Sequence, residues 1–567
     1  MTTDSRLCEP PVREFPSRLA ANVYLVVGIA ILIVSSRPET PTLTRYAIGI
    51  AAEVALAALA VLFMRSERLD IAATARLRRP ALREVGLAIL AVPGLWVAGV
   101  LLNFVSSLVL GYTTPAMPSQ YPSTILEAVA LAVTTMVVAP ICEELMFRGY
   151  VQRAYERRNA WIGILVGGLI FTLYHLRFQG APALLPVAIA LSLIAWRTGS
   201  IVPGIALHAA YNTIATVLMI ALSFLSLQIA GGLTAALVCL AVLSAPVSVA
   251  ALWMLWRDTS PSPRSPIAGP RAWQRWAARV PVVGLIALYG YAAATEVLIG
   301  AFPELISVGP LRLGAAPADW NEAASWRYSI RNSLGEDIGE AACTRELDRE
   351  SITLTCDADY EGYDITSSIP GIGVDLDRLP GSLQTFTDSL RTEPKSWSLA
   401  AHWARDTLEL TALDAAESTP ALEDLQLRYR VEDGRPSISA QGDSATNALT
   451  KVSSGSILLP YEWAWRLSAM PLELAYAADA TIVQLSQEGH AQLHPAVVNV
   501  QGAEPTWTPA GTFVAWKVVV SWDDESGREQ QQTAWYDSDA PHTLLGFDDG
   551  VVSYALQSLG TVDEGTE

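Results

Sequence analysis

The sequence predicts a polytopic α-helical membrane body of about nine spans, followed by an extracytoplasmic, β-rich antiparallel domain. Three observations predict it. Apolar runs long enough to cross roughly 30 Å of hydrocarbon recur through the first 302 residues. Charge divides the chain at the same place: residues 1–302 hold 14 Asp and Glu against 22 Lys and Arg, whereas residues 303–567 hold 42 against 16. Beyond residue 303 the long runs give way to period-two alternation. Charged residues make up 17% of the chain, below the roughly 25% of ordinary soluble domains. This excludes one soluble core for all 567 residues, and the acidic second half argues against a nucleic-acid partner.

Spans are read near 19–35, 45–64, 84–110, 123–142, 160–176, 181–196, 201–221, 231–256 and 281–302. The first run lacks a small-x-small cleavage site and is followed by Ser35-Ser36-Arg37, so it reads as a retained span rather than a signal peptide. Basic residues set the orientation. Arg65, Arg68, Arg76, Arg78, Arg79 and Arg83 follow span two, and Arg148, Arg153, Arg157 and Arg158 follow span four. Arg257, Arg264, Arg271, Arg275 and Arg279 follow span eight. All three are even-numbered exits, so the positive-inside rule makes that side cytoplasmic and puts residues 303–567 outside. The expected organisation is a cytoplasmic tail at 1–18, an eight-span membrane domain at 19–256, a Pro-, Ser- and Arg-rich cytoplasmic linker at 257–280, a ninth span at 281–302 and an acidic outer domain at 303–567. An oxidising compartment would let Cys343 and Cys356, the outer domain's pair, form a disulfide.

Ionisable side chains at membrane depth are expensive, and each is a functional hypothesis. Span four runs into Pro140-Ile141-Cys142-Glu143-Glu144-Leu145-Met146-Phe147-Arg148. Glu144 and Arg148 are four apart and share a helix face, so they can pair; Glu143 points about 100° away without that partner. A carboxylate so placed suits a base that holds and releases a proton. The bland alternative has both glutamates merely begin a cytoplasmic helix. Two histidines lie in the membrane half: His175, in Phe171-Thr172-Leu173-Tyr174-His175, and His208, in His208-Ala209-Ala210-Tyr211-Asn212. His208 and Asn212 project from one helical face. If the chain turns near Asn159, Glu143 and His175 lie at matching depth, and His208 enters from the same side after the Arg197–Ser200 turn.

These three segments, EELMFR at 143–148, the Phe171 and His175 pair, and HAAYN at 208–212, resemble the motifs of the CPBP family of intramembrane proteases. That family includes CAAX prenyl endopeptidases and bacterial proteins linked to bacteriocin immunity. The approach Trp196-Arg197-Thr198-Gly199-Ser200-Ile201-Val202-Pro203-Gly204 is similar too, and the likeness spans 123–221. It implies a multi-pass protease of the bacterial cytoplasmic (plasma) membrane acting on a membrane-associated protein or peptide. Glu143, assisted by His175, would activate a water. His208 and Asn212 would stabilise the oxyanion, with Glu144 and Arg148 holding the first motif. Glu143, His175 and His208 would also be the ligands if a divalent metal such as zinc is bound. The family is described both as metalloproteases and as glutamate-dependent enzymes. The absence of HExxH and the presence of Asn212 favour catalysis without an obligatory metal.

The outer half alternates at Val514, Trp516, Val518, Val520 and Trp522, and at Leu425, Leu427, Tyr429 and Val431. Hairpins are expected at Asp524–Gly527, Glu432–Gly434 and Phe547–Val551, with helical pieces near 397–405 and 460–478. No catalytic set stands out there, and the partner of this domain is not legible. Two rival functions are a non-catalytic membrane sensor or scaffold and a proton-coupled transporter. Transport would favour inverted symmetry between halves, which this sequence lacks.

Overall fold

The computed structural model describes residues 15–561 apart from 36–41, 115–120, 123, 157–158, 225–231, 260–276, 312, 314–315, 318–319, 321–322, 333–334, 365–390, 420–424, 433–434, 441–442, 445–455, 486–490 and 525–526. The expected tail and linker therefore fall largely outside the described residues. The chain divides into two compact units, one holding the helices up to Ala301 and one beginning at Phe302.

Helices occupy all nine expected positions: Arg18–Ser35, Thr42–Ser66, Leu82–Leu110, Ile125–Glu156, Ala160–Tyr174, Ala181–Thr198, Val202–Phe224, Gly232–Asp258 and Arg279–Ala301. Among the described residues six are long and apolar enough to cross a membrane: those starting at Thr42, Leu82, Ile125, Ala181, Val202 and Arg279. Asp70, Thr124 and Asn159 cap helix starts by accepting a backbone N–H on their side chains. Small residues let neighbouring helices close on one another. A Cβ on Gly167 would lie 3.2 Å from Gln152 Cβ, and one on Gly168 would lie 3.2 Å from the backbone nitrogen of Ile189.

The helices run up and down, and their ends gather in two groups. At one end Arg76 pairs with Glu156, Arg83 lies 2.5 Å from Asp258, and Ser200 Oγ donates to the Arg78 carbonyl at 2.7 Å. The exits of the second, fourth, sixth and eighth helices thus share one side, the grouping their arginines predict. A ring cluster of Trp161, Trp196 and Trp256, with Arg197 4.2 Å over Trp256, sits with them as an interfacial anchor would. At the other end Thr114, Gln179 and Glu296 join the exits of the third and fifth helices to the ninth.

From Phe302 the chain is a β domain. Fifteen described strands form one sheet, antiparallel except where Ile457–Leu458 pairs with Ala477–Leu485. The first strand, Ala324–Arg331, pairs with the last, Ser553–Thr561, so the chain ends meet mid-sheet. A short helix, Trp463–Arg466, supplies the middle of the core: Trp465 packs edge-on against Tyr328 and Phe547, and Tyr536 Oη donates to the Ala464 carbonyl at 2.6 Å. Cys343 and Cys356 stand directly opposite on adjacent strands and form a disulfide, 13 positions apart in sequence.

The expected helix near 397–405 is a strand, Lys395–Ala404. Its alanines suggest a helix, but Trp397, Leu399, Ala401 and Trp403 alternate, and all four are buried on one face. Burying two tryptophans on one face outweighs weak helix propensity. The expected helix at 460–478 shrinks to Trp463–Arg466 and a 3₁₀ turn, with a strand from Ala477.

Candidate active site

The site begins with a proline. Ile125–Glu156 is one continuous helix whose register widens to π geometry at Val133–Val138 and again at Glu144–Val151, on either side of Glu143. π turns recur at functional sites. In the first widened turn the Ala139 N–H donates to the Thr134 carbonyl. The next donor in that register is Pro140, which has no N–H, so the Thr135 carbonyl is left over. Asn212 takes it: Nδ2 donates to Thr135 O at 2.9 Å. Thr135 Oγ1 and Thr216 Oγ1, 2.8 Å apart, extend this tie between the first and third motifs.

Glu143 and Glu144 lie within a buried helix interior, not at the start of a cytoplasmic helix. Glu144 and Arg148 pair as their spacing predicts: both are fully buried, with Arg148 NH1 2.8 Å from Glu144 Oε1. Arg148 NH2 also donates to the Ala188 carbonyl at 3.1 Å, and the guanidinium lies 4.2 Å from the Phe171 ring centre. Helix Ala181–Thr198 is thereby bound to the first motif.

His208 sits between the two glutamates. Its Nδ1 is 3.2 Å from Glu144 Oε1 and its Nε2 is 3.8 Å from Glu143 Oε2. A carboxylate only accepts, so Nδ1 carries the proton in the first contact. The second is too long for a hydrogen bond. Glu143 Oε2 is buried and accepts no hydrogen bond from a described residue. Glu144 Oε2 is equally closed in: a Cβ on Gly204 would lie 2.9 Å from it, so glycine at 204 permits the approach.

His175 ends the second motif's helix. Its Nδ1 lies 2.8 Å from the Phe171 carbonyl, and since a carbonyl only accepts, Nδ1 carries the proton and the neutral ring keeps a lone pair on Nε2. The Phe171 ring packs edge-on against both His175 (4.9 Å) and His208 (5.7 Å). The structure thus joins Glu144, Arg148 and His208, sets Glu143 3.8 Å from His208, ties Asn212 to the Thr135 carbonyl, and packs Phe171 against both histidines. The ion-pair neighbour of Glu143 among the described residues is His208. Among the described residues no three His, Cys, Asp or Glu side chains form a group that could hold a metal ion. Nε2 of His175 and Nε2 of His208 are the ring nitrogens not engaged by the Phe171 carbonyl and Glu144, and the Phe171 ring packs against both imidazoles.

Two buried carboxylates escape a motif-based reading. Glu53, on helix Thr42–Ser66, has a buried Oε2 with no hydrogen-bond partner and is an electrostatic neighbour of Glu143 and Tyr174. Glu296, on the ninth helix, is 8% exposed and hydrogen-bonded on both oxygens. The signal was present: each is a lone acid inside an apolar run.

No curated protein matches the chain. A beta-barrel-like protein from Brucella abortus, of a domain of unknown function, is 11% identical over 43% of this chain and 98% of its own, with a TM-score of 0.27. An exported protein with a YmcC-like fold from Bacteroides fragilis is 10% identical over 44% of this chain and 100% of its own, with a TM-score of 0.15. Residues 125–214 match the family model described as "Type II CAAX prenyl endopeptidase Rce1-like", and Glu143, Glu144, Arg148, His175, His208 and Asn212 all fall inside the match. Over residues 125–214 the helical unit is therefore similar to the Rce1-like type II CAAX prenyl endopeptidases.

Proposed function

We propose that this chain is an intramembrane endopeptidase that hydrolyses a peptide bond of a membrane-associated substrate with a water activated by Glu143. One observation carries the reading: a carboxylate oxygen, Glu143 Oε2, that is buried without a hydrogen-bond partner among the described residues faces a histidine whose other nitrogen is held by a second, arginine-paired carboxylate. Glu144 fixes the tautomer and orientation of His208, and Arg148 holds the same Glu144 oxygen. Glu143 takes a proton from water; the hydroxide adds to the scissile carbonyl. The second N–H of Asn212 Nδ2 supplies a donor to the developing oxyanion, and His208 borders the same place. Collapse of the tetrahedral intermediate breaks the C–N bond, and Glu143 returns its proton to the leaving amine. His175 Nε2, a lone-pair acceptor, helps orient the water. The chain's own residues account for each step without a metal.

The proposed organisation is a protease body at 19–256, a cytoplasmic linker at 257–280, a ninth span at 281–302 and an outer domain at 303–567, in the plasma membrane. The arginines clustered at the even-numbered helix exits support that orientation, and the Cys343–Cys356 disulfide suits an oxidising outer compartment. The test is cleavage of quenched peptides ending in a CAAX box, farnesylated and unmodified, by purified wild type, Glu143→Gln and His208→Ala. Wild-type cleavage lost in both variants supports the assignment; equal rates in all three sink it. Metal analysis of the same preparations decides the cofactor. Whole-cell protease accessibility of residues 303–567 decides the orientation, with protection counting against it.

A further inference from the structure

We infer that Glu296, on the ninth helix and outside the matched segment, is a positioning residue that clamps the loop behind His175. The sequence after His175 leaves the helix abruptly. Leu176 adopts φ 53°, a left-handed conformation that a branched side chain holds only when its surroundings enforce it. The next residues present backbone N–H groups inside a membrane domain, where an unmet donor is costly. Glu296 meets two of them with separate oxygens: Phe178 N–H donates to Oε2 and Gln179 N–H to Oε1, each at 2.8 Å. Tyr112 Oη and Thr114 Oγ1 lie 3.3 and 3.2 Å from the same Oε1. The carboxylate is thus met by four donors from two chain segments, 112–114 and 178–179. One turn on, Gly300 lets the ninth helix approach: a Cβ there would lie 2.3 Å from the Tyr112 ring.

The loop is gripped from the other side too. Gln179 Nε2 donates to the Asn103 carbonyl at 3.0 Å, and Ser106 Oγ donates to the Gln179 carbonyl at 2.7 Å. Those bonds fix Gln179 to helix Leu82–Leu110, and among the described residues Glu296 is the group that holds the two consecutive amides. An anionic acceptor for two adjacent N–H groups is a strong, charge-assisted arrangement. Its loss frees the backbone three and four residues beyond His175, and with it the helix end that aims the imidazole. The ninth helix thereby becomes part of the site's support.

The inference rests on the hydrolase reading for its catalytic consequence, so its test uses readouts that need no substrate. Full-length wild type, Glu296→Ala, Glu296→Gln and Glu296→Asp are compared in the same detergent. Hydrogen exchange at Phe178 and Gln179 is expected to quicken by about tenfold to a hundredfold in Glu296→Ala. Glu296→Gln keeps one acceptor oxygen and is expected to expose one amide while protecting the other; Glu296→Asp keeps both. In ¹⁵N-histidine-labelled protein the His175 ring signals, assigned with His175→Gln, are expected to shift in Glu296→Ala and return toward wild type in Glu296→Asp. With cleavage available, kcat is expected to fall while KM holds. Unchanged exchange at both amides overturns the clamp; quickened exchange with unmoved His175 signals overturns the positioning role. Wild type that cleaves nothing refutes the hydrolase reading and leaves these two readouts to decide the clamp.

Discussion

Replacing Arg148 with methionine tests the electrostatic logic of the site most directly. Methionine keeps the volume and removes the cation. In the structure Arg148 and Glu144 are both fully buried and 2.8 Å apart. Arg148→Met leaves Glu144 with His208 Nδ1 at 3.2 Å as its remaining side-chain partner among the described residues and removes the bond to the Ala188 carbonyl. Breaking a buried pair from one side costs about 3–5 kcal/mol, because a charge is left in low dielectric uncompensated. The double variant Glu144→Gln with Arg148→Met removes both charges. It is expected to recover at least about 2 kcal/mol of that loss, since replacing a whole buried pair is often near neutral. The assay is a double-mutant cycle of denaturant unfolding on the full chain in one defined micelle. A single variant within about 1 kcal/mol of wild type, or a double variant as unstable as the summed singles, refutes the claim that Glu144 depends on this cation.

Gly204→Ala pushes a methyl to 2.9 Å from Glu144 Oε2 and is expected to cost about 1–3 kcal/mol; wild-type stability would show that the helices can part freely there. Removing the Cys343–Cys356 disulfide by paired serine substitution releases a 13-position loop and is expected to cost about 3 kcal/mol in denaturant unfolding of the outer domain. Asp549 accepts from the Val551 and Val552 amides in the turn at Asp548–Gly550, and burial raises its carboxyl above the ordinary range. A raised folded value means the fold binds the proton more tightly, so this group adds stability as pH falls from neutral through that value toward about 4, and loses it as pH rises. Asp549→Asn keeps the acceptor oxygen and is expected to flatten that slope in tryptophan-monitored unfolding; an unchanged slope refutes the assignment.

Much of the site was legible because it depends on local spacing. Glu144 and Arg148 pair because i and i+4 share a face, wherever the helix lies. The depth argument brought His208 to the right level, but which histidine faces Glu143 depends on how Val202–Phe224 leans against Ile125–Glu156. That is a packing outcome, and it chose His208 over His175. Asn212 shows the same limit. Its place in the third motif was visible, but its bond to the Thr135 carbonyl requires knowing that Pro140 and a widened turn leave that carbonyl over. Glu53 and Glu296 were missed because motif order drew attention to 143–212, although each is an acid in an apolar run. In the outer domain the alternation of 514–522 and 425–431 predicted strands correctly, whereas Lys395–Ala404 was mistaken for a helix because alanine content obscured its period of two.

The sequence by itself determined where the helices lie, which of their exits share a side, and where the acidic β domain begins. Hydrocarbon thickness sets span length, and charge asymmetry marks the loops, so both are written in one dimension. Only the tertiary structure decided that His208 lies between two glutamates, that Phe171 packs against both imidazoles, and that Glu296 holds the His175 loop from more than a hundred residues away. Those contacts join chain segments whose approach is fixed by small residues such as Gly168, Gly204 and Gly300, and helix packing of that kind has no period a linear pattern can show.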